Sequence, residues 1–379
     1  MKVLVAGDYS DSYRVSDIIH QEKYSDLFEN IRPITGLHDF NIVNFEFPIV
    51  LKKGYPIEKG GPSLSGQKKA IDAIKYAGFN VCTLANNHIL DQGEQCCLDT
   101  KNNLESVGMN TVGVGQNLNE AKRILYLRTR NETIAIINCC ETEFSIATLT
   151  TTGANPLNPI QQFYKINEAK QNADFVLVIV HGGHEYCQLP SPRMKELYHF
   201  FVDIGADAVV NHHQHCYSGY EIYNNKPIFY GIGNFLFDWK GKQNCSWNEG
   251  YMVSFNFSKN QDVSFELYPF TQCNEKPNVK PMENEAYRQF NLKILDLNTI
   301  LTNDNLLLKE WEHWILENST YFQLDFQPYN NRILKALFIR GLLPSFMTKK
   351  KKYSILNHIT CESHLDRMRY IIKNINNNI

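Results

Sequence analysis

Three apolar segments of the chain stop abruptly at residues that can bind a cation. Continuous runs of Val, Ile and Leu bounded by turn residues predict strands buried on both faces, as in a sheet covered by helices. Ligand sites in such sheets lie beyond the carboxyl ends of the strands, so we expect the polar residues to share one site. The segments are 81–85, followed by Asn87 and His88, 175–180, followed by His181, and 208–210, followed by His212, His213 and His215.

Histidines are concentrated at these predicted strand ends, which hold six of the twelve in the chain. A neutral imidazole is the commonest protein ligand for transition metals. The alternative is that a His-rich turn is an ordinary solvated loop. Because the histidines recur at three separate strand ends, the sequence favours a metal site.

Two carboxylates follow the same design. Asp8 ends the apolar run 3–6, and Glu46 follows the run 41–43. Either carboxylate alone could instead cap a helix or belong to a turn. Together with the histidines they make a mixed nitrogen and oxygen shell, which suits Mn, Fe or Zn. The sequence therefore predicts a divalent transition metal as cofactor, with one or two ions bound.

The order of these motifs resembles the CapA family of poly-gamma-glutamate capsule synthesis proteins, a branch of the calcineurin-like metallophosphoesterases. The segment 226–238, which ends in Gly233-Asn234-Phe235-Leu236-Phe237-Asp238, is similar to the Ser-Leu-Gly-Asn-Phe-x-Phe-Asp element of that family. The resemblance extends from the first residue to about residue 270. It implies an α/β fold of two facing mixed sheets flanked by helices, with the metal centre at one end.

The resemblance also implies roles for individual residues. Catalytic or substrate-facing roles fall on His88, His212 and Glu185, with His88 as the candidate proton donor. Three residues beside these motifs or at a further strand end are candidates for substrate binding, with a structural role as the alternative: Tyr186, Asn234 and Asp91. The implied metal ligands are Asp8, Glu46, Asn87, His181, His213 and His215.

The chain departs from the wider superfamily at three points. The usual Asp-x-His motif is replaced by Asp8-Tyr9-Ser10, and Gly-Asp-x-x-Asp is replaced by Asn44-Phe45-Glu46. Asn211 stands where a Gly is expected, a mild change because Asn tolerates positive φ. The missing His leaves two alternatives, a single tightly held metal or a binuclear centre with one weak site.

Two classes of function follow. The first is a metal-dependent hydrolase of an anionic small molecule or polymer, acting on a phosphorylated or amide-linked precursor in capsule or surface-polymer biosynthesis. The second is a non-catalytic accessory protein that keeps the fold and binds a capsule synthase or a membrane surface. The formal charge of −2 and the lack of a recognisable binding motif argue against a nucleic-acid partner.

The sequence predicts a catalytic domain at 1–271 and a helical extension at 272–379, with helices within 300–316, 333–339 and 353–375. In the extension, the apolar segment 332–347 precedes four lysines at 349–352. Such a pattern is typical of a segment that binds an anionic membrane surface. The alternative is a helix packed on the catalytic domain and followed by a solvated, charged loop. The Gly/Ser-rich stretch 60–66 is a lid or a phosphate-contacting loop, or else a plain surface turn.

Ten scattered cysteines without a C-x-x-C unit indicate reduced thiols. The amino terminus shows neither a signal sequence nor a membrane span, although many family members carry an anchor there. We therefore expect a cytoplasmic protein, peripheral at the inner face of the membrane if the extension binds lipid.

Overall fold

Two mixed β-sheets form the frame of the protein in the computed structural model, which describes residues 1–374. Strands form at each of the apolar runs identified in the sequence. The strands are β1 Lys2–Tyr9, β2 Phe40–Phe45, β3 Val81–Thr83, β4 Asn110–Val112, β5 Val114–Gly115, β6 Leu125–Arg128, β7 Thr133–Cys140, β8 Gly153–Ala154, β9 Phe175–His181, β10 Ala208–His212, β11 Tyr220–Tyr223, β12 Lys226–Phe229, β13 Asn234–Leu236, β14 Glu249–Asn256, β15 Ser264–Gln272 and β16 Val279–Pro281.

The first sheet has the order β16-β15-β14-β1-β2-β3-β4, and β13 also pairs with β1. The second has the order β11-β12-β10-β9-β7-β6, while β5 and β8 form a separate pair. Neighbours among β1 to β4 are parallel, as are those among β7, β9, β10 and β12. Each sheet therefore presents several carboxyl ends at one edge, where ligand sites form in parallel sheets.

The sheets face each other across an aromatic core. The ring of Phe229 on β12 lies 5.6 Å from that of Phe255 on β14 and 5.1 Å from that of Phe265 on β15. Every residue of β9 is buried, because helices cover the faces that the opposite sheet does not. The predicted α/β architecture of two facing mixed sheets flanked by helices is confirmed.

Helices connect the strands and cover the sheets. Helix α4 buries Ile71 and Ile74 and ends before Gly78, whose φ of 93° is a conformation that favours glycine. Two short 3-10 helices are Ser246–Asn248 and Gln323–Phe326. The α-helices are α1 Tyr13–His20, α2 Tyr24–Phe28, α3 Arg32–Thr35, α4 Lys69–Tyr76, α5 Glu94–Ser106, α6 Leu118–Ala121, α7 Pro159–Asn172, α8 Pro192–Asp203, α9 Asn284–Leu301, α10 Asp304–Glu317, α11 Ser319–Phe322, α12 Arg332–Ile339, α13 Lys349–Thr360 and α14 Glu362–Asn374.

The chain divides into two compact units after Trp311, whereas the sequence placed the division between residues 271 and 272. The difference arises because β16 continues the first sheet and α9 packs on it. The ring of Phe290 on α9 lies 5.2 Å from that of Tyr217 and 5.7 Å from that of Tyr251. The first unit is thus Met1–Trp311, and the second begins at Glu312.

The helices of the extension differ in detail from the prediction. The helix expected at 300–316 is α10, since α9 ends at Leu301. The helix expected at 353–375 is two helices, α13 and α14, separated at Cys361, whose backbone is extended. Residue 375 lies outside the described residues. Within residues 1–374, no helix is long and apolar enough to cross a membrane.

All ten cysteines are free thiols. Eight of them are buried, while Cys245 is exposed and Cys361 is partly buried. Burial raises the pKa of the buried thiols, as at Cys187, where the pKa is about 11. The expectation of reduced thiols in the core agrees with this arrangement.

Candidate metal centre

The six predicted metal ligands meet where the two sheets present their carboxyl ends. Parallel strands in each sheet deliver them from different parts of the chain to one buried cluster. Asp8 lies in β1, Glu46 directly follows β2, Asn87 follows β3, His181 ends β9, and His213 and His215 follow β10.

The donor atoms of this cluster form three overlapping groups in which all atoms lie within 4.8 Å of one another. His181 Nε2 lies 3.6 Å from Glu46 Oε1, and His215 Nδ1 lies 3.7 Å from Asp8 Oδ2. A buried cluster of this composition can hold a divalent metal ion. The groups are Asp8 with His181 and His212, Glu46 with His181 and His213, and Asp8 with Glu46 and His215.

Glu46 shows why a cation fits here. Its side chain is fully buried, and neither carboxylate oxygen has a hydrogen-bond partner. Leaving a buried acceptor unsatisfied costs about 1–3 kcal/mol, and more if the group is charged. Burial, reinforced by the nearby negative charge of Asp8, raises the pKa of Glu46 well above its ordinary value. A cation would reverse this effect, because it favours the ionised carboxylate.

The histidines are suited to the same ion. Burial lowers the pKa of His181, His212 and His215, so their rings are neutral and keep a lone pair for a metal. Neither ring nitrogen of His212 has a hydrogen-bond partner, and its Nδ1 lies 4.0 Å from Asp8 Oδ1. His212, expected to be catalytic, is therefore buried among the potential ligands.

The turn after β10 wraps around Asp8. The backbone N–H of His213 donates to Asp8 Oδ2 at 3.1 Å, and Asn44 Nδ2 donates to Asp8 Oδ1 at 2.7 Å. The left-handed residues of this turn are His213 at φ 90° and His215 at φ 56°. Such strain costs on the order of 1–3 kcal/mol per residue and persists where the surroundings enforce it.

Asn211 does not adopt the positive φ that the expected Gly had suggested. Its side chain instead joins the strands. Its amide group donates to the carbonyl oxygens of Gly182 at 2.8 Å and Tyr230 at 3.1 Å, and its Oδ1 accepts a hydrogen bond from the Tyr198 hydroxyl at 2.7 Å. Asn211 therefore links neighbouring segments through its side chain, and the backbone first adopts positive φ two residues later, at His213.

His88 lies beside the cluster in a small charged network. Its Nδ1 is 2.7 Å from Asp91 Oδ2 and 3.1 Å from Lys59 Nζ. Lys59 also pairs with Asp91 Oδ1 at 2.5 Å, although its side chain is only 3% exposed. Asp91, expected to be a substrate ligand or a structural acceptor, has these contacts and a 2.6 Å bond from the N–H of Leu64. The contacts favour the structural role for Asp91.

The loop 60–66 is tied to the same carboxylate through Leu64, so it is not a free surface turn. Sequence reasoning noted this loop but missed Lys59 at its edge. A lysine beside a Gly-rich stretch that precedes a histidine motif was the available signal.

Asn234 supports the centre. It is fully buried, its Oδ1 lies 2.8 Å from His215 Nδ1, and its amide group donates to the His215 carbonyl oxygen at 3.2 Å. The structure thus brings Asn234, a predicted substrate ligand, into contact with a potential metal ligand.

Glu185 and Tyr186 are exposed residues on the segment after β9. The charge of Glu185 contributes to the raised pKa of Glu46, so it lies within electrostatic reach of the cluster. The Tyr186 ring is stacked 6.0 Å from that of Trp247, and Trp247 is 4.6 Å from the ring of His215. Tyr186 and Trp247 therefore form an aromatic surface beside the potential ligand His215.

Asn44 and Glu143 also escaped the sequence analysis. Asn44 bonds Asp8 and lies 3.2 Å from His181 Nδ1. Glu143 contacts Asn87 and His213 from the loop after β7. Strand β7 is a further apolar run with polar residues at its end, so the rule that located the ligands also applied to Glu143.

Comparison with known proteins is consistent with the motifs. Residues 2–239 match the family described as bacterial capsule synthesis protein PGA_cap. The capsule biosynthesis protein CapA of Bacillus anthracis is 30% identical over 302 residues, which cover 76% of this chain and 72% of that protein. The PGA biosynthesis protein CapA of Bacillus subtilis (strain 168) is 31% identical over 288 residues, covering 75% of this chain and 74% of that protein.

A solved structure, described as a novel phosphatase from Mycoplasma pneumoniae, covers 77% of this chain and 98% of its own. Its sequence identity is 17% and its TM-score is 0.46, too distant a likeness to support a conclusion about activity. The family match covers well over half of the chain and includes the whole buried cluster. The chain therefore belongs to the bacterial capsule synthesis protein PGA_cap family.

Proposed function

We propose that the protein is a metal-dependent hydrolase acting on an anionic, phosphorylated or amide-linked precursor in capsule or surface-polymer biosynthesis. The observation that carries this proposal is the carboxylate of Glu46, fully buried without a hydrogen-bond partner among potential metal ligands. Such a group is costly unless a cation binds it. Membership in the capsule synthesis family supports the polymer pathway.

The donor atoms suggest how the chain would hold an ion. Mixed carboxylate and imidazole ligands favour Mn, Fe or Zn over Ca or Mg. A bound divalent cation supplies Lewis acidity, which polarises a phosphoryl or carbonyl oxygen. Two of the three groups consist only of predicted ligands, and both contain Glu46. The first is Asp8, Glu46 and His215. The second is Glu46, His181 and His213, and Asn87 lies beside it in contact with His181.

His88 is the candidate for proton transfer. Its Nδ1 lies closer to Asp91 Oδ2, at 2.7 Å, than to Lys59 Nζ, at 3.1 Å, which favours the tautomer in which Nδ1 carries a proton and Nε2 is left for a substrate. Lys59 balances the charge of Asp91 and keeps that carboxylate in place. His88 would then give or take a proton at Nε2, beside the residues that would hold the ion.

The test is purification without chelators, elemental analysis, and a screen of phosphomonoesters, phosphodiesters and amides. The His213→Ala variant should lose both metal and turnover, and His88→Asn should lose turnover but keep the metal. His20→Ala is the matched control, since His20 is an exposed histidine outside the cluster. Wild-type protein without metal, and without turnover when Mn, Fe or Zn is added, would contradict the proposal.

A second candidate is a non-catalytic accessory protein that binds a capsule synthase or the inner membrane surface through its C-terminal helices. Ser10 favours it, because this residue stands where the superfamily has a histidine ligand, and its N–H bonds the Leu236 carbonyl oxygen at 2.9 Å. In α13, four lysines are followed by the exposed apolar side chains of Tyr353, Leu356 and Ile359.

Vesicle co-sedimentation distinguishes the two candidates. The accessory function predicts binding to phosphatidylglycerol vesicles but not to phosphatidylcholine vesicles, retained in Glu46→Ala and His88→Ala, with no turnover of any ester or amide. Substituting Glu for the lysines at 349–352 should abolish that binding. Equal binding to both kinds of vesicle would argue against recognition of an anionic surface by the lysines, and no binding to either would argue against a membrane role.

A further inference from the structure

Glu143 connects two potential metal ligands from outside the cluster. Its Oε2 accepts a 3.0 Å hydrogen bond from Asn87 Nδ2, and its Oε1 lies 3.4 Å from His213 Nε2. Both partners are buried, whereas the Glu143 side chain is 34% exposed. One carboxylate therefore contacts the outer sides of two ligands that belong to different sheets.

The contact with Asn87 determines which amide atom faces the cluster. An ionised carboxylate only accepts hydrogen bonds, so the Asn87 NH₂ group must point towards Glu143. Its Oδ1 then points inward, where it lies 3.0 Å from His181 Nε2. The amide oxygen is the atom that can bind a metal.

The contact with His213 acts in the same way. His213 Nδ1 lies 3.1 Å from His181 Nε2, on the inner side of the ring, and Nε2 lies on the outer side near Glu143. A carboxylate beside Nε2 favours the tautomer in which Nε2 carries the proton. Nδ1 then keeps the lone pair that a metal requires.

The loop that carries Glu143 is itself held against the cluster. The N–H of Glu143 donates to the Glu141 carbonyl oxygen at 3.0 Å, and the N–H of Glu141 donates to the His181 carbonyl oxygen at 3.0 Å. Ser145 Oγ donates to the Asn87 carbonyl oxygen at 2.7 Å. The loop is therefore held by hydrogen bonds to two of the segments that carry potential ligands, those of His181 and Asn87.

We infer that Glu143 is a positioning residue that orients Asn87 and His213 for a divalent cation. This inference rests on the proposed metal site. It assigns to the β7 loop a function in metal affinity, in addition to the residues that contact the ion. Carboxylates that hold metal-binding histidines typically account for a 10- to 100-fold difference in metal affinity.

The experiment titrates Mn²⁺ into chelator-treated wild-type protein, Glu143→Gln and Glu105→Gln by calorimetry. Glu105→Gln is the matched control, because Glu105 is an exposed carboxylate that bonds Thr111 outside the cluster. We expect affinity to fall about 10- to 100-fold in Glu143→Gln and to be unchanged in the control. The melting temperatures of the metal-free proteins should agree, which would show that folding is intact.

A second readout does not depend on metal. In ¹⁵N NMR spectra of the metal-free proteins, His213 should be protonated at Nε2 in the wild type and should be a mixture of tautomers in Glu143→Gln. An unchanged tautomer, or wild-type Mn²⁺ affinity in the variant, would overturn the inference. If the wild type binds no Mn²⁺, Fe²⁺ or Zn²⁺, the proposed function fails, and the tautomer alone decides the role of Glu143.

Discussion

Replacing Glu46 by Gln should stabilise the metal-free protein and abolish its stabilisation by metal. The carboxylate is fully buried, lacks a hydrogen-bond partner, and lies near Asp8. Gln has almost the same shape but no charge, so the substitution removes the electrostatic cost without creating a cavity. Binding of a cation by the carboxylate would offset that cost.

The magnitude follows from the burial of Glu46. Gln is also polar, so the substitution removes only the part of the cost that depends on the charge, which is about 1.4 kcal/mol for each tenfold change in the ionisation constant of the carboxyl group. We expect a gain of about 1–3 kcal/mol in the free energy of unfolding at neutral pH. For a unit of this size, that gain corresponds to roughly 2–5 °C in melting temperature.

The gain should depend on pH. Burial and the charge of Asp8 raise the pKa of Glu46 in the folded state above the ordinary 4.5. A group of this kind favours the folded state fully below its unfolded pKa, and that contribution is lost as the pH rises through the folded pKa. The difference between Glu46→Gln and wild type should therefore be small near pH 4.5 and grow as the pH increases.

Chemical denaturation of both proteins, with and without Mn²⁺, provides the assay. At a free Mn²⁺ concentration about 1,000 times the Kd, the wild type should gain about 4.1 kcal/mol and the variant nothing. The order of stability then reverses on adding metal. A variant that is less stable than wild type without metal, or that gains as much from Mn²⁺, would refute the reasoning.

Three further substitutions test other parts of the structure. Asn234→Ala should lower Mn²⁺ affinity about tenfold in calorimetry, because His215 loses the partner of its Nδ1; unchanged affinity would contradict this role. The Lys59→Met variant should bind as much metal as the wild type but have a lower kcat for whichever substrate the screen identifies, because the Asp91 carboxylate loses its cationic partner. Loss of metal instead would place Lys59 in the metal site. Gly7→Ala should lower the free energy of unfolding, measured by urea denaturation, by at least about 1–3 kcal/mol, because the added Cβ would overlap the Gly233 carbonyl oxygen. A variant as stable as the wild type would mean that β1 and β13 can move apart.

Much of the centre could be predicted because it follows one rule of sheet architecture. Apolar runs that end in Asp8, Glu46, Asn87 and His181 identify both the strands and the edge at which they meet. That rule depends on local pattern alone, so it is readable from the sequence. The same pattern, with the family resemblance, was sufficient for the two-sheet fold.

The contacts around the ligands could not be predicted in the same way. Glu143 touches Asn87 across 56 positions of sequence, and Asn234 touches His215 through a strand that pairs with β1. These contacts depend on how loops from distant parts of the chain pack together, and the hydrophobic periodicity of the sequence does not predict that packing. The division into compact units differs from the predicted domain boundary for a related reason, since the sequence of an amphipathic helix such as α9 does not reveal on which unit it packs.

Anomalous diffraction from crystals grown with Mn²⁺ tests the central claim most directly. The account predicts an anomalous peak within coordination distance of Glu46, shared with Asp8 and His215 or with His181 and His213. The peak should be absent in His213→Ala if the second group holds the ion. A saturated protein whose anomalous peak lies elsewhere, or a cluster that stays closed to Mn²⁺, Fe²⁺ and Zn²⁺, would contradict it.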